Sequence, residues 1–236
     1  MYRLPTDAPR VAEQFYQREY TEGFTSTCPT AAALAALIAV GFTGTDRDYT
    51  TWIAVLHALS VASGSRVLDY GASWGYGVWQ LQASGYDAIG YEISRPRASY
   101  AREELALRVF ERTEDLPCDV DVFFSSHVIE HVPAPRDVIS LARRLVRPGG
   151  LFVAFTPNGS AARRAKPEQA CNVAHRWGQA HPIVPDDVFY RRVLPEDPKL
   201  IATSPYPLDV IRGWDRRSDR SHDLSGGELL LVAVLQ

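Results

Sequence analysis

From residue 66 onward the chain switches repeatedly between runs of consecutive apolar residues and segments whose apolar residues recur every three to four positions. Continuous apolar runs predict buried strands, and the longer period predicts helices. The strand Arg66–Tyr70 is thus followed by a helix over about Trp74–Ser84, with Gly85 placed as its C-cap. The strand Asp87–Glu92 precedes a helix through Arg102–Leu107 and a short strand near Val109–Glu111. The strand Val120–Ser125 precedes a helix over Arg136–Val146, with Val138, Ile139, Leu141 and Leu145 on its apolar face, and Leu151–Phe155 closes the set. Strands alternating with helices predict a doubly wound α/β fold with a mostly parallel sheet, whose ligands sit at the carboxyl ends of the strands. Tyr70–Gly75, Glu92, the Glu114-Asp115-Leu116 turn and Ser126–His131 should therefore meet at one edge.

The region before residue 63 has helical spacing. Trp52, Ile53, Val55, Leu56 and Leu59 mark a helix within Asp46–Ala62, stopped by Ser63-Gly64, and His57 reads as a structural residue within it. The most lipid-like run, Ala31–Phe42, is about 12 residues, too short to span a bilayer, and predicts a buried helix. Met1–Arg10 has two prolines and no apolar core, so it is not a secretory signal. With 236 residues and 46% hydrophobic content the chain can bury one good core. The expected organisation is an N-terminal helical extension or lid, residues 1–62, on a single globular domain, residues 63–236. A net charge of −3 leaves no basic footprint for bulk nucleic-acid binding, and the arginines at 143, 144 and 147 and at 216, 217 and 220 read as solvated faces. Three cysteines, Cys28, Cys118 and Cys171, in no Cys-x-x-Cys spacing, suit a reducing cytoplasm without structural disulfides.

The chemistry concentrates in Asp69-Tyr70-Gly71-Ala72-Ser73-Trp74-Gly75, a glycine turn between a strand and a helix, followed by the acid of Gly90-Tyr91-Glu92. That arrangement binds the adenosyl part of a cofactor. An anionic Asp69 just before the turn would oppose a pyrophosphate; it suits a ligand carrying an ammonium and a sulfonium, with Glu92 accepting hydrogen bonds from ribose hydroxyls. The run resembles motif I, Asp/Glu-x-Gly-x-Gly-x-Gly, of the Rossmann-like S-adenosylmethionine-dependent methyltransferases, with Ser73 in place of the middle glycine. Further on, the Val120–Ser126 strand followed by Glu130-His131-Val132-Pro133, then Pro148-Gly149-Gly150 and Thr156-Pro157-Asn158, look like the fourth and fifth strands of that family. The likeness is close over roughly residues 60–160; Lys199–Ser204 and Glu228–Leu235 fit the last two strands loosely, with Gly226-Gly227 as the turn between.

The resemblance implies a seven-stranded sheet, S-adenosylmethionine as cofactor, and methyl transfer to an oxygen, nitrogen or carbon of a small-molecule acceptor such as a sugar or secondary metabolite. It implies no membrane partner and says nothing of oligomeric state. The implied cofactor contacts are Asp69, Gly71, Ala72, Ser73, Gly75, Glu92, Ile93, Asp115, Leu116 and Ser126, the implied bases His127 and His131. His175, Trp177 and His181 fall where the family builds its acceptor pocket, and Tyr16 and Tyr20 fall in the lid.

Other readings stay open. Gly71-Ala72-Ser73-Trp74-Gly75 also satisfies Gly-x-Ser-x-Gly, the nucleophile elbow of a serine hydrolase, although the residues before it read as helices rather than the strands that fold needs. A non-catalytic cofactor-binding module is a third possibility. His127-Val128-Ile129-Glu130-His131 matches the inverted zincin pattern, cut off by Pro133. It is also similar to the Glu-x-x-Glu-His metal ligands of some relatives, the ubiquinone-biosynthesis O-methyltransferases among them, with His127 for the first glutamate. A metal site there would use His127, Glu130 and His131, with His175 or His181 completing the set; the metal-free alternative has Glu130 and His131 orienting the loop.

Overall fold

The computed structural model describes residues 27–166 and 183–236. In chain order the elements are α1 (Ala31–Ala39), α2 (Thr50–Ala58), β1 (Arg66–Tyr70), α3 (Tyr76–Ala83), β2 (Asp87–Tyr91), α4 (Arg95–Glu104), β3 (Val109–Phe110), β4 (Val120–Ser126), α5 (Pro135–Leu145), β5 (Val146–Pro157), α6 (Ala161–Arg164), α7 (Asp187–Val193), β6 (Lys199–Thr203), α8 (Leu208–Arg212), β7 (Arg220–Ser221) and β8 (Glu228–Val234). One sheet runs β3-β2-β1-β4-β5-β8-β6-β7. Strands β3 to β5 are parallel, and β8 lies antiparallel between β5 and β6. The alternation of strand and helix thus produces the doubly wound α/β sheet expected of it. Eight strands replace the expected seven because the two-residue β7 adds to the β6 edge.

The sheet separates two hydrophobic clusters. On one face Val67, Val122, Val153 and Val232 pack with Trp74 and Val78 of the α3 region and with Ile53, Val55 and Leu56 of α2. On the other, Leu68, Phe123, Phe152 and Leu231 pack with Val138, Ile139 and Leu145 of α5 and Tyr190 of α7. Leu34 of α1 belongs to the first cluster. Strand β5 extends well past the expected Leu151–Phe155: Val146 pairs with Val120, and a register shift before Val122 accommodates Pro148–Gly150, with Gly149 at φ +77°.

The expectation of a buried Ala31–Phe42 helix is corrected. Helix α1 stops at Ala39, and only Leu34 within it is buried, with Phe42 buried in the turn beyond. Alanine-rich helices read as apolar at every position, so hydropathy alone could not separate a core helix from one that anchors through a single leucine. Cys28 and Cys118 are free thiols, and Cys171 lies outside the described residues.

Candidate functional site

The carboxyl ends of β1, β2 and β4 open onto a cavity of about 660 Å³. Gly71, Ser73, Glu92, Ile93, Ser126, His127 and His131, all named from the sequence, line it, whereas Asp69 lies buried behind the lining. The cavity has two different halves. On the α5 side it is walled by Tyr70, Tyr91, Ile93, Val132, Val138 and Leu141, which pack on the second core cluster. Toward α2 the walls are Asp46, Trp52, Tyr76 and His127.

The turn after β1 is held by β2. The Gly71 and Ala72 amides both donate to the Tyr91 carbonyl, at 2.8 and 2.9 Å, and the Ser73 amide donates to Glu92 Oε2 at 2.9 Å. Three successive amides that a dinucleotide-binding turn would aim at a pyrophosphate are thereby engaged elsewhere. Gly71 sits at φ +90°, and a Cβ there would lie 2.2 Å from Val128 Cγ2, so the loop after β4 closes directly over the turn. Ser73 takes φ +50°, a left-handed conformation that favours glycine over serine.

Asp69 is 1% exposed, and neither carboxylate oxygen has a hydrogen-bond partner. Burial, together with the charge of Glu92, pushes its pKa up to about 7, an effect that the nearby Tyr49 hydroxyl partly offsets. A Cβ on Gly77 would stand 2.5 Å from Asp69 Oδ2 and 2.4 Å from the Tyr49 ring, so α3 passes close by at a glycine. Glu92 is buried too, yet well satisfied: Oε1 accepts from the Ser94 amide at 2.7 Å and Oε2 from Ser73. Burial raises its pKa, against the pull of those amides and of Arg97. Each of its oxygens keeps a lone pair for a further donor.

His127 follows β4 at φ +54°, its amide donating to the Phe155 carbonyl at 2.9 Å. Its Nδ1 lies 3.1 Å from Oε1 of the fully buried Glu130, and its Nε2 contacts Glu228 Oε1. Burial works against the charged ring, but the two carboxylates outweigh it and raise the His127 pKa to about 10. Both ring nitrogens are thus donors, with no lone pair left to take a proton or bind a metal. His131 lines the cavity within the short 3₁₀ turn Ile129–His131.

Among the described residues no three histidine, cysteine or acidic side chains form a group able to hold a metal ion. His175, Trp177, His181, Tyr16 and Tyr20 lie outside those residues. Of the residues expected on the adenine side, Asp115 is exposed and Leu116 belongs to the second core cluster, and Thr113 is the residue of that turn that lines the cavity. Ala72 is buried behind the turn, and Gly75, at φ +94°, serves as the N-cap of α3, where a Cβ would meet Leu107 and Ala101. Sequence reasoning missed Asp46, Trp52, Tyr76, Arg97, Thr113 and Glu228. Trp52 and Glu228 bear no motif, and only the fold joins positions 176 residues apart.

Residues 45–186 match the family model described as a methyltransferase domain, a span that contains β1 to β5 and the whole turn region. A ubiquinone biosynthesis O-methyltransferase of Dechloromonas aromatica is 32% identical over 111 residues, 43% of this chain and 47% of that protein. One from Methylococcus capsulatus is 30% identical over 115 residues, covering 44% and 48%. The chain spans about half the length of the curated relatives it matches. In fold it is similar to magnesium protoporphyrin IX methyltransferase of Synechocystis PCC 6803 with bound S-adenosylhomocysteine, at TM-score 0.57 and 13% identity over 97% of this chain and all of that one. A methyltransferase of Archaeoglobus fulgidus gives TM-score 0.56 at 15% identity, covering 84% and 99%. Because the family model covers more than half of the sequence and contains the cavity-forming turns, the chain belongs to the methyltransferase domain family.

Proposed function

We propose that this protein binds S-adenosylmethionine in the cavity and transfers its methyl group to a nucleophilic oxygen, nitrogen or carbon of a small-molecule acceptor. The observation that carries the reading is the turn itself. Its amides are committed to Tyr91 and Glu92, and the buried Asp69 carboxyl just before it has the Tyr49 hydroxyl as its near polar neighbour and no cation among its influences. Such a turn repels phosphate and suits an ammonium group. The apolar half of the cavity, with Ile93 and the Tyr70 and Tyr91 rings, suits an adenine, and Glu92 suits the ribose hydroxyls.

When bound, the donor supplies an electrophilic methyl carbon on a sulfonium. The protein's task is alignment and exclusion of water. Trp52, Tyr76 and Val128 wall the reaction side, and the glycine at 71 lets the Val128 loop close on it. His131, which lines the cavity, is the base proposed for an acceptor hydroxyl. His127 orients, because both of its nitrogens are engaged. No helix among the described residues is long and apolar enough to cross a membrane.

The serine hydrolase alternative loses its footing, since β1 follows helices among the described residues and His127 is occupied by carboxylates. The test is production of S-adenosylhomocysteine in the presence of a phenol, a primary amine and a carboxylic acid, the phenol first because the curated relatives are named O-methyltransferases. Acceptor-dependent product supports the reading. Donor binding with no turnover on any class would favour the non-catalytic module, and esterase activity abolished by Ser73→Ala would favour the hydrolase.

A further inference from the structure

Glu228 opens β8, opposite Pro157 of β5. It is not among the cavity-lining residues, yet two lining side chains end on it. The Trp52 indole N–H donates to Glu228 Oε2 at 3.2 Å, and the His127 ring meets Oε1. The Tyr206 hydroxyl also donates to Oε2, so the carboxylate joins α2, the β4 loop and the segment after β6. On the other side of the imidazole stands the buried Glu130. With the ring protonated, the row Glu130–His127–Glu228 has one negative charge in excess; with the ring neutral it has two. The Trp52 and His127 rings lie 6.0 Å apart, and both line the α2 half of the cavity. An indole ring beside a net negative row attracts a cation.

We infer that Glu228, holding Trp52 and His127, makes this wall selective for the charge of the donor, favouring the sulfonium form over the neutral thioether left after transfer. The inference rests on the donor reading above. Its consequence is directional: the attraction that holds the donor disappears with the charge, and the product leaves. Glu228 acts through two other side chains and is a positioning residue.

The test is calorimetric binding of S-adenosylmethionine, S-adenosylhomocysteine and sinefungin, a stable analogue with an ammonium near the sulfonium position, to the wild type, Glu228→Gln and Trp52→Leu. In Glu228→Gln the preference for S-adenosylmethionine over S-adenosylhomocysteine should fall by about threefold or more, on the order of the loss of one partly screened charge, with sinefungin following the charged donor. Equal weakening of all three ligands would make Glu228 merely structural and overturn the inference, as would no change. If Glu228→Gln does not fold, Trp52→Leu carries the test with the same expected ratio and the same contrary outcomes. Wild-type protein that binds none of the ligands refutes the donor reading and this inference with it. Wild-type binding with unshifted ratios in the variants overturns this inference alone.

Discussion

Replacing Asp69 by asparagine should strengthen the free protein and weaken the donor complex, and the two effects have calculable sizes. In the fold the Asp69 carboxyl is pushed from 3.8 up to about 7 by burial and by Glu92. A carboxyl with a raised folded pKa destabilises the fold as it ionises, so its contribution worsens as pH rises from about 4 to 7 and is constant above. A rise from 3.8 to about 7 corresponds to at most about 4 kcal/mol above pH 7. Asparagine has nearly the same shape and no charge, so Asp69→Asn should gain about 1–3 kcal/mol in urea unfolding at pH 8 after relaxation is allowed for, and little at pH 4.5. At pH 8 the same change removes the buried anion proposed to attract the donor's ammonium and should cost about tenfold or more in S-adenosylhomocysteine affinity. In the wild type that affinity should rise with pH through about 7, because only the ionised carboxylate pairs with the ammonium. A variant less stable than wild type at pH 8, or one that binds the ligand unchanged, would refute the reasoning.

Ser73→Gly should raise stability by up to about 1 kcal/mol in urea titrations, since φ +50° strains serine and not glycine; a loss of that size would show that the hydroxyl is structurally required. His127, with its pKa raised from 6.5 to about 10 between Glu130 and Glu228, stabilises the fold fully below about 6.5 and loses that contribution as pH rises through 10. The stability gap between wild type and His127→Gln should therefore shrink from pH 6 to pH 10.5, and a constant gap would contradict the paired imidazolium. EDTA should leave ligand affinity and any methyl transfer unchanged, because neither His127 nitrogen has a lone pair to offer a metal; stoichiometric metal in purified protein by elemental analysis would reject this.

The periodic part of the chain was legible because buried strands and amphipathic helices write their periods directly. Strands β1, β2, β4, β6 and β8 lie within a residue of their expected ends. Asp69, Glu92 and the glycine turn were legible because a strand, a turn and an acid at fixed spacing force one geometry. The helix expected through Arg102–Leu107 instead spans Arg95–Glu104, with Pro96 near its start, a start signal outweighed by the weak apolar periodicity around it. The Trp52–Glu228–His127 contacts could not be read, since they join positions 52, 127 and 228 through tertiary packing alone. Nor could the left-handed conformations of Ser73 and His127, which the loop closure imposes against their intrinsic preference.

The central claim is that the turn after β1 holds a cationic nucleoside donor and not a dinucleotide. Isothermal titration of the purified protein with S-adenosylhomocysteine and with NAD, side by side at pH 8, tests it most directly. Saturable one-to-one binding of S-adenosylhomocysteine that Asp69→Asn and Glu92→Ala each weaken, with no detectable heat from NAD, is the result expected. Tighter binding of NAD than of S-adenosylhomocysteine would contradict it.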